Sequence, residues 1–156
     1  MKKWNAAIVA TAFVFAIVGT VKAETIQNDI AITRADIQAD RQAIVADSMK
    51  LTDDQATAFW PVYRDYRAEL AKLGDRTVKL VTDYAANYDT LTDAQASALT
   101  TEFLSIQKDT LKVKEKFVPK FKAVLSPKLV MRFFQIENKL DTILMIDAVD
   151  GIPLAK

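Results

Sequence analysis

The chain has 156 residues, 51% of them apolar, with 21 basic and 20 acidic side chains and neither cysteine nor histidine. Without cysteine there is no disulfide and no thiol chemistry, and without histidine the commonest general base and the commonest transition-metal ligand go together. A formal net charge of +1 excludes the strong basic excess usual in nucleic-acid-binding domains.

Lys2 and Lys3 lead into an apolar run from Ala6 to Val18, followed by Gly19-Thr20 and Val21-Lys22-Ala23. A charged start, a short apolar centre and small residues before a cut form the pattern of a cleavable secretory signal peptide, here residues 1–23. The run of thirteen residues falls short of the roughly 20 that a membrane span needs. No stable membrane insertion is expected, and no cysteine is present to carry a lipid anchor. The expected product is an exported, periplasmic protein of residues 24–156, long enough for a single domain. The leader holds three of the 21 basic residues and none of the 20 acidic ones, so the remainder carries a net charge of −2. Glycine is scarce, with three in the whole chain. That composition suits long helices better than strands and tight turns.

The first helix is expected over about residues 26–48, where Ile30, Ile37 and Ile44 recur every seven residues. The second and third begin on a phrase spelled twice, Leu-Thr-Asp-Asp-Gln at 51–55 and Leu-Thr-Asp-Ala-Gln at 91–95. Thr followed three residues later by Gln is a capping box: the hydroxyl accepts from the N3 backbone N–H, and the Gln side chain accepts from the N-cap N–H. Thr52 with Gln55 and Thr92 with Gln95 fit it, with Leu51 and Leu91 placed to fold over the first turn. Asp53, Asp54 and Asp93 then meet the positive end of the helix dipole. A fourth helix is expected to start at Leu125-Ser126-Pro127, with Ser126 as cap and Pro127 at the first helical position, where a missing N–H costs nothing.

After each start the apolar residues keep helical register. Phe59, Tyr63, Tyr66, Leu70, Leu73, Thr77, Leu80 and Tyr84 mark the second helix; Leu99, Phe103, Ile106, Thr110, Val113 and Phe117 mark the third. Leu129, Phe133, Ile136, Leu140 and Ile143 mark the fourth. Gly74 does not disturb the phase of the second stripe, so that helix is expected to continue through it. Pro61 and Pro119 each remove a helical hydrogen bond and are expected to kink their helices. A helix from Thr52 to about Asn87 would be roughly 50 Å long. Such a rod favours antiparallel packing against another rod. The fourth helix is apolar well outside its stripe, at Val130, Met131, Phe134, Leu144, Met145 and Ile146, which predicts a homodimer that covers the surplus.

Candidate sites follow from what is left. Between Ser105 and Lys139 nine Lys/Arg face only three acids. Lys112, Lys116 and Lys120 in this stretch are either a solvated face or a surface for acidic partners. Arg34 and Arg41, seven apart on the first helix, fall on one line and serve either a binding surface or surface ion pairs. Phe59, Trp60 and Tyr63 form an aromatic patch that is an interaction site if exposed and core if covered. Asp53-Asp54 is the only adjacent carboxylate pair at a helix start, and the dipole accounts for it. No constellation demands catalysis, a cofactor or a metal, so none is expected.

The two Leu-Thr-x-x-Gln phrases, the leader, the chain size and the all-helical pattern resemble the LTxxQ family of periplasmic stress proteins, the Spy/CpxP type. The resemblance implies a cradle-shaped antiparallel helical dimer. It also implies either an ATP-independent chaperone that holds partly unfolded periplasmic proteins, or an adaptor that binds the sensor domain of an envelope-stress sensor kinase. Zinc binding by some relatives uses His and Cys and does not carry over here. The third start, Leu-Ser-Pro-Lys-Leu, lacks the Gln. The expectation is therefore an all-α protein of four helices built on a long, kinked, antiparallel hairpin, elongated or cradle-shaped as a dimer. It is expected to be a non-enzymatic holdase, with an adaptor and a client-free structural envelope protein as the alternatives.

Overall fold

The computed structural model describes residues 37–149 and 152–155; the leader at 1–23, Ile30 and Arg34 lie outside them. The described residues form four helices and no strand. Helix α1 covers 37–49, α2 Asp53–Asn87, α3 Asp93–Val124 and α4 Pro127–Val149, with a 3-10 turn at Tyr88–Thr90 between α2 and α3.

The helix starts are those the sequence specifies. Thr52 accepts from the Gln55 amide at 3.4 Å while the Gln55 side chain accepts from the Thr52 amide at 3.1 Å. Thr92 and Gln95 repeat the exchange at 3.3 and 2.9 Å. Ser126 caps α4, its hydroxyl accepting from the Leu129 amide at 3.4 Å. Lys50, with φ at 49°, takes the left-handed conformation that ends α1 and turns the chain into α2. Helix α2 continues through Pro61 and Gly74, and α3 through Pro119.

Pairings fix the topology. Moving along α2, Phe59 meets Phe121, Glu69 meets Lys116 and Arg76 meets Glu102, so α3 runs antiparallel to α2. On the other side Tyr66 meets Phe133, Arg67 meets Glu137 and Tyr84 donates to the Pro153 carbonyl at 2.8 Å, so α4 runs parallel to α2. Helix α1 thus packs at the base of a long α2–α3 hairpin, α4 runs from the base along α2, and the core lies at the base. Val45, Met49, Phe59, Tyr63, Tyr66, Phe117, Phe121, Leu125, Val130 and Phe133 form it. Its centre is aromatic: Phe121 and Phe133 have ring centroids 4.4 Å apart, and Tyr66 meets Phe117, Phe121 and Phe133 edge-on. Such edge-to-face pairs contribute about 0.5–1.5 kcal/mol each beyond the area they bury.

The stripes are rotated from their expected positions in three places. Helix α1 buries Arg41, Val45 and Met49, while Ile37 and Ile44 are exposed. The i, i+4, i+8 row wins because its upper member is an arginine with carboxylate partners, which a hydrophobicity count passes over. Phe103 of α3 is exposed, whereas Phe121, one turn beyond Phe117, is fully buried. On α4 the buried row is Val130, Phe133 and Glu137, and Ile143 is exposed.

Candidate interaction surface

Two polar networks organise the molecule. The first lies where all four helices meet. Arg41 of α1 donates to Glu137 at 3.0 Å and to Asp141 at 2.8 Å, both on α4. Arg67 of α2 donates to the same Glu137 oxygen at 3.2 Å, and Lys114 of α3 to Asp141 at 3.1 Å. The Arg41 and Glu137 side chains are 4% and 1% exposed. Burial works against the charge on Arg41, but Glu137 and Asp141 outweigh it and hold the guanidinium above its ordinary pKa. Tyr63, beside this network, is pushed up to about 12 by burial first and by Glu137 second. Tyr66 is raised for the same reasons, in the same order.

The second network lies further along the hairpin. Arg76 of α2 forks onto Glu102 at 2.8 and 3.1 Å, and also donates to Asp109 at 2.8 Å and Ser105 at 3.0 Å on α3. The bidentate geometry suits a guanidinium and would not suit a lysine. Hydrogen bonds from Arg76 and Lys112 lower Asp109 to about 2. Glu102 is lowered by Arg76 as well.

These placements sort the residues singled out in the sequence. Thr52, Gln55, Thr92, Gln95 and Ser126 are caps, with Leu51 and Leu91 half-buried beside them. Arg41, Phe59 and Tyr63 come together inside the base of the hairpin, with Trp60 half-buried at its edge and 5.3 Å from Tyr63. In this single chain they are core, and not an outer face. Lys112, Lys116 and Lys120 are exposed on α3, each with its own neighbour. Lys112 pairs with Asp109, Lys116 with Glu69, and Lys120 lies 4.3 Å over the Phe117 ring.

The outer face of the hairpin was not singled out. Leu104 and Leu111 of α3 are 59% and 57% exposed, seven residues apart and therefore on one side of the helix. Lys108, Glu115 and Lys122, each seven residues apart and exposed, lie on the same side. Phe103, and Met131, Ile143 and Met145 of α4, add further exposed apolar area. The available signal was an apolar residue just off the stripe at 104 and 111, which a search for the buried seam discards. Glu137 and Asp141 were also missed as partners, although an acid inside the apolar register of α4 is itself a sign of a buried pair.

Among the described residues no three His, Cys, Asp or Glu side chains are grouped to hold a metal ion, and no helix is long and apolar enough to cross a membrane. No protein-family model, no curated protein and no solved structure matches the chain.

Proposed function

We propose that the chain is a non-enzymatic interaction protein, exported to the periplasm, that shields partly unfolded envelope proteins without nucleotide, as a member or distant branch of the LTxxQ family. The observation that carries this reading is the exposed apolar pair Leu104 and Leu111, flanked by Lys108, Glu115 and Lys122 on one side of α3. A partner meeting that face would gain on the order of 25 cal/mol per Å² of apolar area covered, and the lysines would speed encounter with acidic segments. Contacts of that kind are weak and repeated along a rod, which suits many clients better than one. The two capping boxes add the family resemblance, and the apolar area on α4 at Met131, Ile143 and Met145 favours a homodimer that covers it.

The test is aggregation of several unrelated, chemically denatured proteins, followed by light scattering with near-stoichiometric amounts of residues 24–156. Suppression across all of them supports the reading. Failure there, with saturable and salt-sensitive binding to one sensor-kinase domain, transfers the role to an adaptor. Failure of both leaves a structural envelope protein. Sedimentation in the same buffer decides the dimer.

A further inference from the structure

Where α1 lies beside α2 there is an open groove of about 210 Å³. Gln38 and Gln42, one turn apart, form its α1 wall. Arg64, Arg67, Ala68 and Ala71 form the α2 wall, spaced i, i+3, i+4 and i+7 and so on one helix face. The Tyr63 ring completes the lining. No carboxylate lines it among the described residues; Asp40 and Asp65, the nearest in sequence, are exposed and fall on other faces of their helices.

The charge here is unbalanced. Arg67 gives one hydrogen bond, to a Glu137 oxygen it shares with Arg41. Within the network at that level, Arg41, Arg67 and Lys114 are three cations against the two carboxylates of Glu137 and Asp141. Arg64, exposed one turn away, has no ion-pair partner among the described residues and adds a second surplus charge. Two arginines one helical turn apart, with the Tyr63 ring before them and the Ala68 and Ala71 methyl groups after them on the same face, suit two anionic ends joined by a short apolar body. A single compact anion such as phosphate would engage one end and leave the apolar lining bare. The groove is smaller than the roughly 300–1,000 Å³ of drug-sized pockets, so the body can be only a few carbons long.

We propose that this groove binds a short aliphatic dicarboxylate, its two ends on Arg64 and Arg67 and the side-chain amides of Gln38 and Gln42 donating from the opposite wall. Guanidinium forks match carboxylate geometry, and hydrogen bonds between charged partners are stronger than neutral ones.

The test is calorimetric titration of the purified protein with succinate, succinamide and inorganic phosphate. Saturable binding of succinate, none of succinamide and clearly weaker binding of phosphate is the expected result. Arg64→Gln is expected to weaken succinate about tenfold or more without changing the melting temperature, because Arg64 is exposed and has no ion-pair partner among the described residues. Gln42→Ala is expected to weaken it by a smaller factor. Lys108→Gln removes the same charge from α3, away from the groove, and is expected to leave binding unchanged. The proposal is overturned if succinate gives no saturable heat or if phosphate binds as tightly. It is equally overturned if Arg64→Gln binds like the wild type, or if Lys108→Gln loses as much as Arg64→Gln.

Discussion

Arg41 and Glu137 stand 96 residues apart in sequence and 3.0 Å apart in space, each almost wholly out of water. The pair joins the first helix to the last across the base of the hairpin. Stripping two charges of water costs several kcal/mol per ion, and the network repays it with Asp141 on one flank and Arg67 on the other. The repayment is incomplete. Arg41 Nε, Glu137 Oε1 and the Tyr66 hydroxyl are buried without a hydrogen-bond partner among the described residues. A partly satisfied network of this kind contributes less to stability than to fixing one register of α1 against α4, since a slip of one residue would leave two unpaired charges in the core.

Removing one member is therefore worse than removing both. Glu137→Ala leaves the buried Arg41 with Asp141 as its one remaining partner, and is expected to cost about 3 kcal/mol, the low end for breaking a buried pair. The double variant Arg41→Met with Glu137→Leu is expected to recover most of that loss, because apolar residues of similar volume replace a buried pair at little or no cost. Urea unfolding of the three proteins checks both statements. A single variant that loses less than the double one would refute the account.

The Arg76 network predicts a dependence on acid. Asp109 is lowered in the folded chain from 3.8 to about 2 by Arg76 and Lys112. A carboxylate with a depressed folded-state pKa adds stability that is fully present above its unfolded pKa and disappears as pH falls through the folded one. The unfolded state binds the proton first, so stability should fall with pH between about 4 and 2. Asp109→Asn is expected to be less stable than the wild type at neutral pH, with the difference shrinking across that window and shrinking also with added salt. Thermal melts at a series of pH values measure it.

What the sequence made legible was periodic or local. The capping boxes at Thr52 and Thr92 and the Ser126 start are chain-local hydrogen bonds, and they come out where the spelling puts them. The unbroken phase across Gly74 correctly gave one helix of 35 residues. Which side of each helix faces inward was less legible, because it depends on where the neighbours end. Phe103 belongs to the stripe by register and is exposed, while Ile106 on the next turn is buried. Arg41 was legible as a special residue but not as a core residue, since its burial depends on Glu137 and Asp141 in a helix nearly a hundred residues away. The same reason hid the groove, whose two arginines are ordinary surface residues of α2 until α1 is laid beside them.

Gly74 offers a gain. It lies inside α2 in a helical conformation, and a β-carbon added there would meet no atom within 4 Å. Nothing in the packing calls for glycine, which costs roughly 1 kcal/mol against alanine in a helix interior through its extra freedom in the unfolded chain. Gly74→Ala is expected to stabilise the protein by about 0.5–1 kcal/mol, seen as a higher urea midpoint with an unchanged slope. A loss of stability would mean that α2 depends on a bend at this point.

The sharpest separation between holding the fold and doing the work lies between Phe133 and the pair Leu104 and Leu111. Phe133 is fully buried at 4.4 Å from Phe121, and its removal opens a cavity in the aromatic centre. Phe133→Ala is expected to cost about 3–5 kcal/mol. Leu104 and Leu111 are more than half exposed, so Leu104→Ser with Leu111→Ser should change stability by no more than about 0.5 kcal/mol per site. If α3 presents its outer row to unfolded chains, the serine variant loses most of its suppression of aggregation while its melting curve stays in place. Lys108→Gln with Lys122→Gln should then slow capture more than weaken it, and only at low salt. Light scattering and a melting curve on the same preparations decide it. Full suppression by the serine variant would move the working surface off this row of α3, whatever the fate of the holdase reading itself.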